Sequence, residues 1–320
     1  MPRFYLDLSV TVAMQAIAAV ALGILIGPAG IFSAAQAVFY GVGAYIAALI
    51  ALHVTTNLLV ASLAGVLGAG VVGLIMAIPA VRVKGDYFVV ASLAFSILMT
   101  TVFSQWTSVT GGYTGLIGVP LATLGSVVLQ GSLPYLICGL VFLVLTVAVA
   151  HVVLGRAPLG RMVRAVRDDE LAAMALGKSP VVVRIWVVLI SSAIAGLAGV
   201  VFAFYVDYVN PSGFGISGSI LLITMVILSG TGRIWAPVLG AIVLGFGMPS
   251  LALLPISASV SGPIEQIVEG IALVLTMVYL PDGLIGVVDM LRRQEPAKRK
   301  GIVAPPEVES GTELREVVGS

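Results

Sequence analysis

The sequence predicts an all-α fold: a polytopic transmembrane helical bundle with about nine hydrophobic segments, some of them broken or re-entrant. Hydrophobic residues make up 59% of the 320 residues and charged residues only 10%. A soluble domain carries about 25% charged residues. Lipid is therefore predicted to surround most of this chain, so that backbone groups must be satisfied within helices. The 37 glycines also indicate a membrane protein, because small residues let membrane helices pack closely.

Nine candidate spans follow from the length rule that roughly 20 apolar residues cross about 30 Å of hydrocarbon. They cover residues 9–27, 31–52, 58–80, 86–103, 133–154, 183–205, 218–230, 236–254 and 263–280. The seventh is short, and glycine or proline interrupts several others. The first apolar run lacks a basic region followed by a small-residue cleavage site, so it is predicted to be a retained helix. Residues 1–290 are predicted to form one transmembrane domain.

Lysine and arginine are concentrated in alternate loops, whereas the loops 104–132, 206–217 and 254–262 contain neither. The basic positions are Arg82, Lys84, Arg156, Arg161, Arg164, Arg167, Lys178, Arg184 and Arg233, followed by a C-terminal group from Arg292 onward. Cytoplasmic loops of membrane proteins carry such an excess. The sequence therefore predicts a multi-pass protein of the cytoplasmic (inner) membrane with a cytoplasmic C-terminus.

The side on which the N-terminus lies depends on the segment 28–57. Nine full crossings would place Met1 outside. Alternatively, Met1 lies inside and the segment is a broken or re-entrant element, since about 30 residues are too few for two crossings. Breaks at Gly27–Pro28 and at Gly41 and Gly43 favour a discontinuous helix, and the second interpretation is preferred.

Residues 291–320 differ in composition from the rest of the chain. A basic cluster from Arg292 to Lys300 is followed by two prolines and four glutamates. So polar a segment is predicted to be a disordered cytoplasmic tail. Binding of anionic lipid or of a partner is the alternative function for its basic cluster.

One loop, residues 155–182, carries most of the charge in the middle of the chain. Its stretch 159–176 is predicted to be one amphipathic helix that ends at Gly177. The apolar stripe comprises Leu159, Met162, Val163, Val166, Ala173 and Leu176, and the predicted ion pairs are Arg164–Asp168 and Arg167–Glu170. Such a helix either braces its own membrane domain or docks into a groove on a soluble partner.

The sequence offers no candidate for catalysis. The Gly-Lys-Ser run at 177–179 imitates the end of a phosphate-binding P-loop, but the glycine needed five residues before the Gly-Lys pair is Ala172. The single cysteine, Cys138, and two isolated histidines leave no metal or nucleophile set. A net charge of +1 gives no indication of nucleic-acid binding. The chain is therefore predicted not to be an enzyme and to hold no metal or cofactor.

Ionisable residues within membrane spans are functional candidates by default. Glu265 and Glu269 lie one turn apart in the last predicted span, and Asp207 follows the sixth. Under the predicted topology they approach the outer side, where they could receive a substrate ammonium group or a basic residue of an extracytoplasmic partner. The alternative is that Asp207 and Glu265 lie in water at helix ends.

Two glycine-interrupted regions, 27–43 and 229–247, occur in corresponding parts of the two halves. Paired broken segments indicate a transport pathway between halves. Close helix packing through small residues explains them equally well.

Several segments, taken in order, resemble the inner-membrane permeases of branched-chain amino acid ABC importers, in particular the LivM-like subunit that pairs with a second, related permease. They are GVGAY at 41–45, RVKGDYF at 82–88, TGG at 110–112 with GL at 115–116, the loop 160–177, LSGTG at 228–232 with PVLG at 237–240, and PDGLIG at 281–286. The segment 32–37, FSAAQA, departs from the family, which commonly has Leu-Gly-His after the serine.

The resemblance implies a heteromeric importer of two permeases, two ATP-binding cassette subunits that hold the ATP, and an extracytoplasmic solute-binding protein. It implies that the loop is a coupling helix docking on an ATPase through Leu159, Arg161, Met162, Arg164, Arg167, Asp168, Asp169 and Glu170. The predicted pathway or outer-mouth residues are Gly41, Gly43, Gly111, Gly112, Asp207, Gly230, Gly232, Glu265 and Glu269. The implied substrate is a branched-chain amino acid; urea, an amide or an aromatic acid are alternatives.

Two other functions remain open on the sequence. An ion-coupled secondary transporter needs membrane-embedded charges, for which Glu269 is a fair candidate. A passive channel would conduct without nucleotide.

Overall fold

A computed structural model describes residues 2–80, 86–125, 127–251, 258–279 and 283–286. Their α-helices are α1 (Pro2–Ile26), α2 (Gln36–His53), α3 (Leu58–Ala80), α4 (Asp86–Gln105), α5 (Thr107–Thr110), α6 (Ser132–Ala150), α7 (Pro158–Asp168), α8 (Glu170–Ala175), α9 (Pro180–Val206), α10 (Ile216–Ser229), α11 (Ala236–Leu251) and α12 (Ala258–Tyr279). A π-helix, His151–Arg156, extends α6, and 3₁₀ helices occur at Gly112–Thr114 and Pro211–Phe214.

Short strands join the loops at one end of the bundle. They are β1 (Leu116–Ile117), β2 (Thr123–Leu124), β3 (Val127–Val128) and β4 (Tyr208–Val209). β1 pairs with β4 and β2 with β3, both antiparallel. The predicted all-α, polytopic fold class is confirmed, since these strands are only connections.

Within the described residues, six helices are long and apolar enough to cross a membrane: α1, α2, α3, α4, α6 with its π-helical extension, and α9. Shorter apolar helices lie at Ile216–Ser229, Ala236–Gly247 and Gln266–Tyr279. Together they correspond to the nine predicted spans, and the span predicted to be short is α10.

The centre of the bundle is α9, which packs against α1, α2 and α3. Most residues in the apolar stretches of α1, α2 and α9 are buried. In α4 and α6 most of these residues are exposed, as expected for helices that face lipid. The crossing of α2 and α9 depends on glycine: a Cβ atom at Gly43 would lie 2.0 Å from the Gly196 carbonyl oxygen. The missing side chain of Gly43 therefore serves helix packing and does not break α2.

Three hydrogen bonds identify the end of the bundle at which each terminus of α1 lies. Arg167, in the loop 155–182, donates a hydrogen bond to the Gly27 carbonyl oxygen just past α1. This end is called the basic end. At the other end, the far end, the Asp7 carboxylate accepts a hydrogen bond from Ser132 and another from Tyr205. Helix α1 therefore runs from the far end to the basic end.

Helix α2 returns to the far end, which contradicts the preferred interpretation of segment 28–57. It is unbroken over its 18 residues, and the chain just after it pairs with the far-end loop, where Thr123 N donates to the Thr56 carbonyl oxygen at 2.8 Å. The segment crosses the bundle, and the beginning of α1 lies opposite the basic loop. The break predicted at Gly27–Pro28 is present, since α1 ends at Ile26 and α2 begins at Gln36. The re-entrant interpretation was wrong because no break falls at Gly41 or Gly43, so α2 stays long enough to cross.

The non-α-helical segments that enter the bundle connect helices and do not interrupt them. Segment 28–35 enters from the basic end, and segment 207–215, which contains β4 and a 3₁₀ helix, enters from the far end. They bring the first turns of α2 and α10 together inside the bundle. There, Ala37 N donates to Ser219 Oγ at 3.1 Å. The Phe214 ring packs against Tyr40 and Tyr45, with centroid separations of 5.6 and 6.0 Å.

Several sequence predictions fall on residues outside the described ranges. These are the basic positions Arg82 and Lys84 and the tail 291–320. The boundary predicted at residue 290 also falls there, so the two-part division of the chain stays a prediction.

Candidate functional site

The basic loop contains two helices where one was predicted. Helix α7 ends at Asp168 and α8 begins at Glu170, with an extended backbone at Asp169 between them. The Asp169 carboxylate accepts from the backbone N–H groups of Leu171 and Ala172 at 2.9 and 3.0 Å. This is an N-cap, which satisfies amides that a new helix leaves without partners. A continuous helix over 159–176 was therefore the wrong prediction, because Asp169 starts a second helix.

Two arginines of α7 fasten the loop to the ends of transmembrane helices. Arg167 Nη1 donates to the Gly27 carbonyl oxygen past α1. Arg164 Nη1 donates to the Leu154 carbonyl oxygen in the π-helical end of α6 at 2.9 Å. The last carbonyl groups of a helix lack intrahelical donors and carry partial negative charge. Each guanidinium therefore satisfies a carbonyl oxygen and complements the dipole of the helix that it meets.

These contacts replace the ion pairs predicted from spacing. Arg164 and Arg167 donate hydrogen bonds to backbone carbonyl oxygens. Glu170 accepts one from Arg184 Nη2 at 2.9 Å. Asp168 is exposed. Both predicted pairs were wrong. Arg164 and Asp168 keep their helical spacing within α7, but the Arg164 guanidinium is bound by a helix-end carbonyl oxygen. The break between α7 and α8 removes the spacing of Arg167 and Glu170. The Glu170–Arg184 pair instead ties α8 to the beginning of α9.

The inner face of α7 packs on the transmembrane helices. Val163 is 2% exposed and Val166 8%. Leu159 and Met162 are half-buried and pack against the same hydrophobic core. Four of the six residues of the predicted stripe thus hold α7 against its own membrane domain, and the brace interpretation is correct for this face.

The outer face of α8 is different. Leu171 is 73% exposed, Met174 44% and Leu176 78%. These three residues are called the α8 apolar surface. Ala173 of the predicted stripe is 2% exposed and lies in the core as predicted, whereas Leu176, just past the last residue of α8, is exposed and was wrongly placed in the stripe. Leu171 and Met174 were not singled out because they lie outside that stripe. Arg161 is also exposed, on the outer side of α7.

Arg167 lines two clefts, one on either side of the loop. One, of about 400 Å³, also contains Phe32, Glu170 and Arg184. The other, of about 360 Å³, is lined by Gly23, Gly27, Pro28, Leu154, Arg164, Val226, Gly230, Thr231, Gly232, Arg233, Ile234 and Pro237. Gly230 and Gly232 therefore lie beside the basic loop and away from the far end.

The remaining predicted glycines and Asp207 shape the bundle and its far-end connections. Gly111 and Gly112 have φ angles of 74° and 63° in the turn after α5, and Gly41 packs under the Phe214 ring. Asp207 ends α9, and its carbonyl oxygen accepts from the N–H groups of two residues in the far-end loop. Partial burial raises the pKa of the Asp207 carboxyl above its ordinary value.

A central cleft of about 390 Å³ lies between α1, α10, α11 and α12. Its lining residues are Leu8, Thr11, Gln15, Ser212, Gly213, Ser217, Gly218, Leu221, Met225, Leu244, Gly245, Pro249, Gln266 and Glu269. Glu269 was singled out by sequence. Gln15 and Thr11 were missed, because a neutral polar residue in an apolar helix gives little signal. The side chain of Glu265 lies outside the described part of the chain.

Comparison with known proteins identifies the family. A family model described as "Branched-chain amino acid transport system / permease component" matches residues 4–277. The chain belongs to this family. It is thus a permease component of the ABC transporter type and a multi-pass protein of the inner membrane, as the resemblance implied.

Similar permeases come from several organisms. The high-affinity branched-chain amino acid transport system permease protein LivM of Salmonella typhimurium is 28% identical over 314 residues, which cover 88% of this chain and 70% of that protein. The LivM protein of Escherichia coli is also 28% identical, with the same coverage. The ribose import permease protein RbsC of Haemophilus influenzae is 27% identical over 85% of this chain and 83% of its own. No solved structure matches this permease.

Proposed function

We propose that this permease is the membrane-spanning subunit of an ATP-driven importer that carries branched-chain amino acids or a related small polar solute by alternating access. The names of the LivM relatives support this substrate class. ATP would be hydrolysed on ATP-binding cassette subunits. A second, related permease and an extracytoplasmic solute-binding protein would complete the complex.

One observation carries the proposal: the basic loop is fastened to its own membrane domain on one face and presents apolar side chains on the other. Arg164, Arg167 and the buried valines of α7 hold the inner face. Leu171 and Met174 on α8, and Leu176 just past its end, remain exposed. Exposed apolar side chains on an amphipathic helix typically dock in a groove of a partner. The α8 apolar surface is therefore the proposed contact with the ATPase.

The fastening contacts give the loop a mechanical route to the central cleft. A displacement of α7 would move the end of α1 through the Arg167–Gly27 hydrogen bond. Helix α1 carries Thr11 and Gln15, which line the cleft. A displacement of α8 would act on α9 through Glu170 and Arg184. Closure of the ATPase subunits would thus change the walls of the cleft.

The orientation of the permease follows from the same loop. An ATPase acts in the cytoplasm, so the basic end would be cytoplasmic, in agreement with the excess of arginine and lysine there. The beginning of α1 would then lie outside and the C-terminus inside. The far-end loops would receive the solute-binding protein.

Purification of the complex from its native membrane tests the proposal. We expect an ATPase subunit to co-purify with the wild-type chain and to be lost from a Leu171→Glu, Leu176→Glu double variant. Ile117→Glu is the matched control, because Ile117 is 72% exposed at the far end. Both variants should insert normally. Retention of the ATPase by the double variant would contradict the proposed contact, and nucleotide-independent uptake by the chain alone would favour an ion-coupled transporter or a channel.

A further inference from the structure

Glu269 is a buried carboxylate near the midpoint of α12. Its side chain is 8% exposed, and its Oε1 atom is buried without a hydrogen-bond partner in the described part of the chain. Burying an ionised group without a partner is unfavourable, so buried carboxylates are normally paired or hydrogen-bonded. An unpaired carboxylate at membrane depth marks a functional position.

The surroundings of Glu269 combine polar and apolar walls. Thr11, Gln15, Ser217 and Gln266 line the same central cleft. The Thr11 hydroxyl donates to the Asp7 carbonyl oxygen, so its own oxygen can still accept a hydrogen bond. The Gln15 side chain supplies an amide oxygen as a further acceptor. The polar part of the cleft can therefore receive a ligand group that donates several hydrogen bonds.

An apolar cavity adjoins this polar part. It has a volume of about 150 Å³ and shares Thr11, Gln15, Gly213, Gly218 and Leu221 with the central cleft. Its other walls include Tyr40, Phe202, Phe214 and Leu222. A small ligand with a polar group at one end and a hydrocarbon group at the other would fit both parts.

The charge of Glu269 selects among such ligands. Neither cavity is lined by lysine, arginine or histidine within the described residues. The counter-charge for an ionised Glu269 must therefore come from a ligand or from another subunit. A ligand ammonium group supplies both the charge and three N–H donors. A neutral sugar, urea or amide would leave the carboxylate charge uncompensated.

We infer that Glu269, together with Gln15, forms a subsite that recognises the ammonium group of a small aliphatic solute, and that the adjoining apolar cavity receives its hydrocarbon part. This inference rests on the proposed function, because it treats the cleft as part of the route of a transported solute. It narrows the substrate to ammonium-bearing aliphatic molecules and disfavours neutral sugars.

Equilibrium binding to the purified transporter in lipid nanodiscs, without the solute-binding protein, tests the inference. The probes are leucine, 3-methylbutylamine, which lacks the carboxylate, and 4-methylpentanoate, which lacks the ammonium group. We expect the first two to bind and the third not to bind. Glu269→Gln should weaken binding of the first two by about tenfold or more, since one charge interaction is lost. Glu269→Asp should retain part of the affinity.

Thr276→Val is the matched control for changes in α12. Thr276 lies two turns further along the helix and donates to the Ala272 carbonyl oxygen at 2.7 Å, so its loss should leave probe binding unchanged. Equal affinity of wild type and Glu269→Gln would overturn the inference, as would a wild type that binds none of the probes. Loss of the second permease from the Glu269→Gln complex would also overturn the inference, because it would show that Glu269 forms an ion pair with a residue of the other subunit. The proposed function has its own test: it would be contradicted if no ATPase subunit co-purified with the wild-type chain.

Discussion

At the basic end, single hydrogen bonds decide how the loop is held. Arg164 and Arg167 each donate to a carbonyl oxygen at the end of a transmembrane helix. Arg161, on the same helix, is exposed, and its guanidinium makes no hydrogen bond to the described residues. Three arginines of one short helix therefore have different roles, which their spacing alone does not reveal.

Removing the Arg167 side chain tests its role as a helix-end cap. Arg167→Ala should lower the free energy of unfolding by about 1 kcal/mol, because the Gly27 carbonyl oxygen loses a charged donor at a partly exposed site. Arg161→Ala should change it by much less. Denaturant unfolding in detergent measures both. A larger effect from Arg161 than from Arg167 would contradict the assignment.

The cap at Asp169 leads to a second prediction. Asp169→Ala should destabilise α8 by about 1 kcal/mol, because the amides of Leu171 and Ala172 lose their acceptor, whereas Asp169→Asn should preserve most of the cap. Amide hydrogen exchange over residues 170–176 should become severalfold faster in the alanine variant. Unchanged exchange there would show that α8 is held by packing alone.

Residue-level prediction succeeded where a side chain is chemically conspicuous. Glu269 could be singled out because a carboxylate in an apolar span is rare. Gln15 and Thr11 line the same cleft but could not be found, since Glu269 lies more than 250 positions away from them in the chain. The arginine contacts were missed because the accepting carbonyl groups belong to helix ends, whose positions in space no sequence pattern fixes.

Helices at the centre of the bundle can pack closely because glycines occupy the contact positions. Helices α2 and α9 approach until Gly43 meets the backbone of Gly196. Hydrophobic length predicted the helices themselves, including the short α10, because a span must match the thickness of the hydrocarbon layer. It could not predict which glycines break a helix and which allow two helices to approach.

The α2–α9 crossing can be tested with matched glycine variants. Gly43→Ala places a methyl group 2.0 Å from a backbone oxygen, so the helices must separate and folded yield should fall sharply. Gly70→Ala, in α3, meets its nearest atom at 3.4 Å, an ordinary contact, and should be tolerated. Size-exclusion yield and melting temperature in detergent compare the two. Equal behaviour of both variants would contradict the close approach.

The loop shows a second limit at the scale of elements. Its apolar spacing predicted the buried face of α7, since Val163 and Val166 recur at helical period. The same spacing predicted the burial of Ala173 in α8. The α8 apolar surface was missed because Leu171 and Met174 lie outside the stripe and because α8 ends before Leu176. The break itself had one signal, a capping residue inside an apparently continuous pattern.

In the whole molecule, the helices alternate between the two ends. Among the described loops, charge alternation predicted that Arg233 lies at the same end as the basic loop, and Arg233 lines a cleft with Arg164 and Arg167. The side on which α1 begins could not be assigned from charge, since Arg3 is the single basic residue there. Its contacts with Ser132 and Tyr205 place it at the far end.

Labelling from one side of the membrane tests the central claim that the basic loop faces the compartment that supplies ATP. Tyr113, which is 75% exposed at the far end, and Lys178, which is exposed in the basic loop, are the sites to compare. In a Cys138→Ala background, an impermeant maleimide should label a Tyr113→Cys chain in intact spheroplasts and a Lys178→Cys chain only after permeabilisation. Labelling of the Lys178→Cys chain in intact spheroplasts would contradict the account.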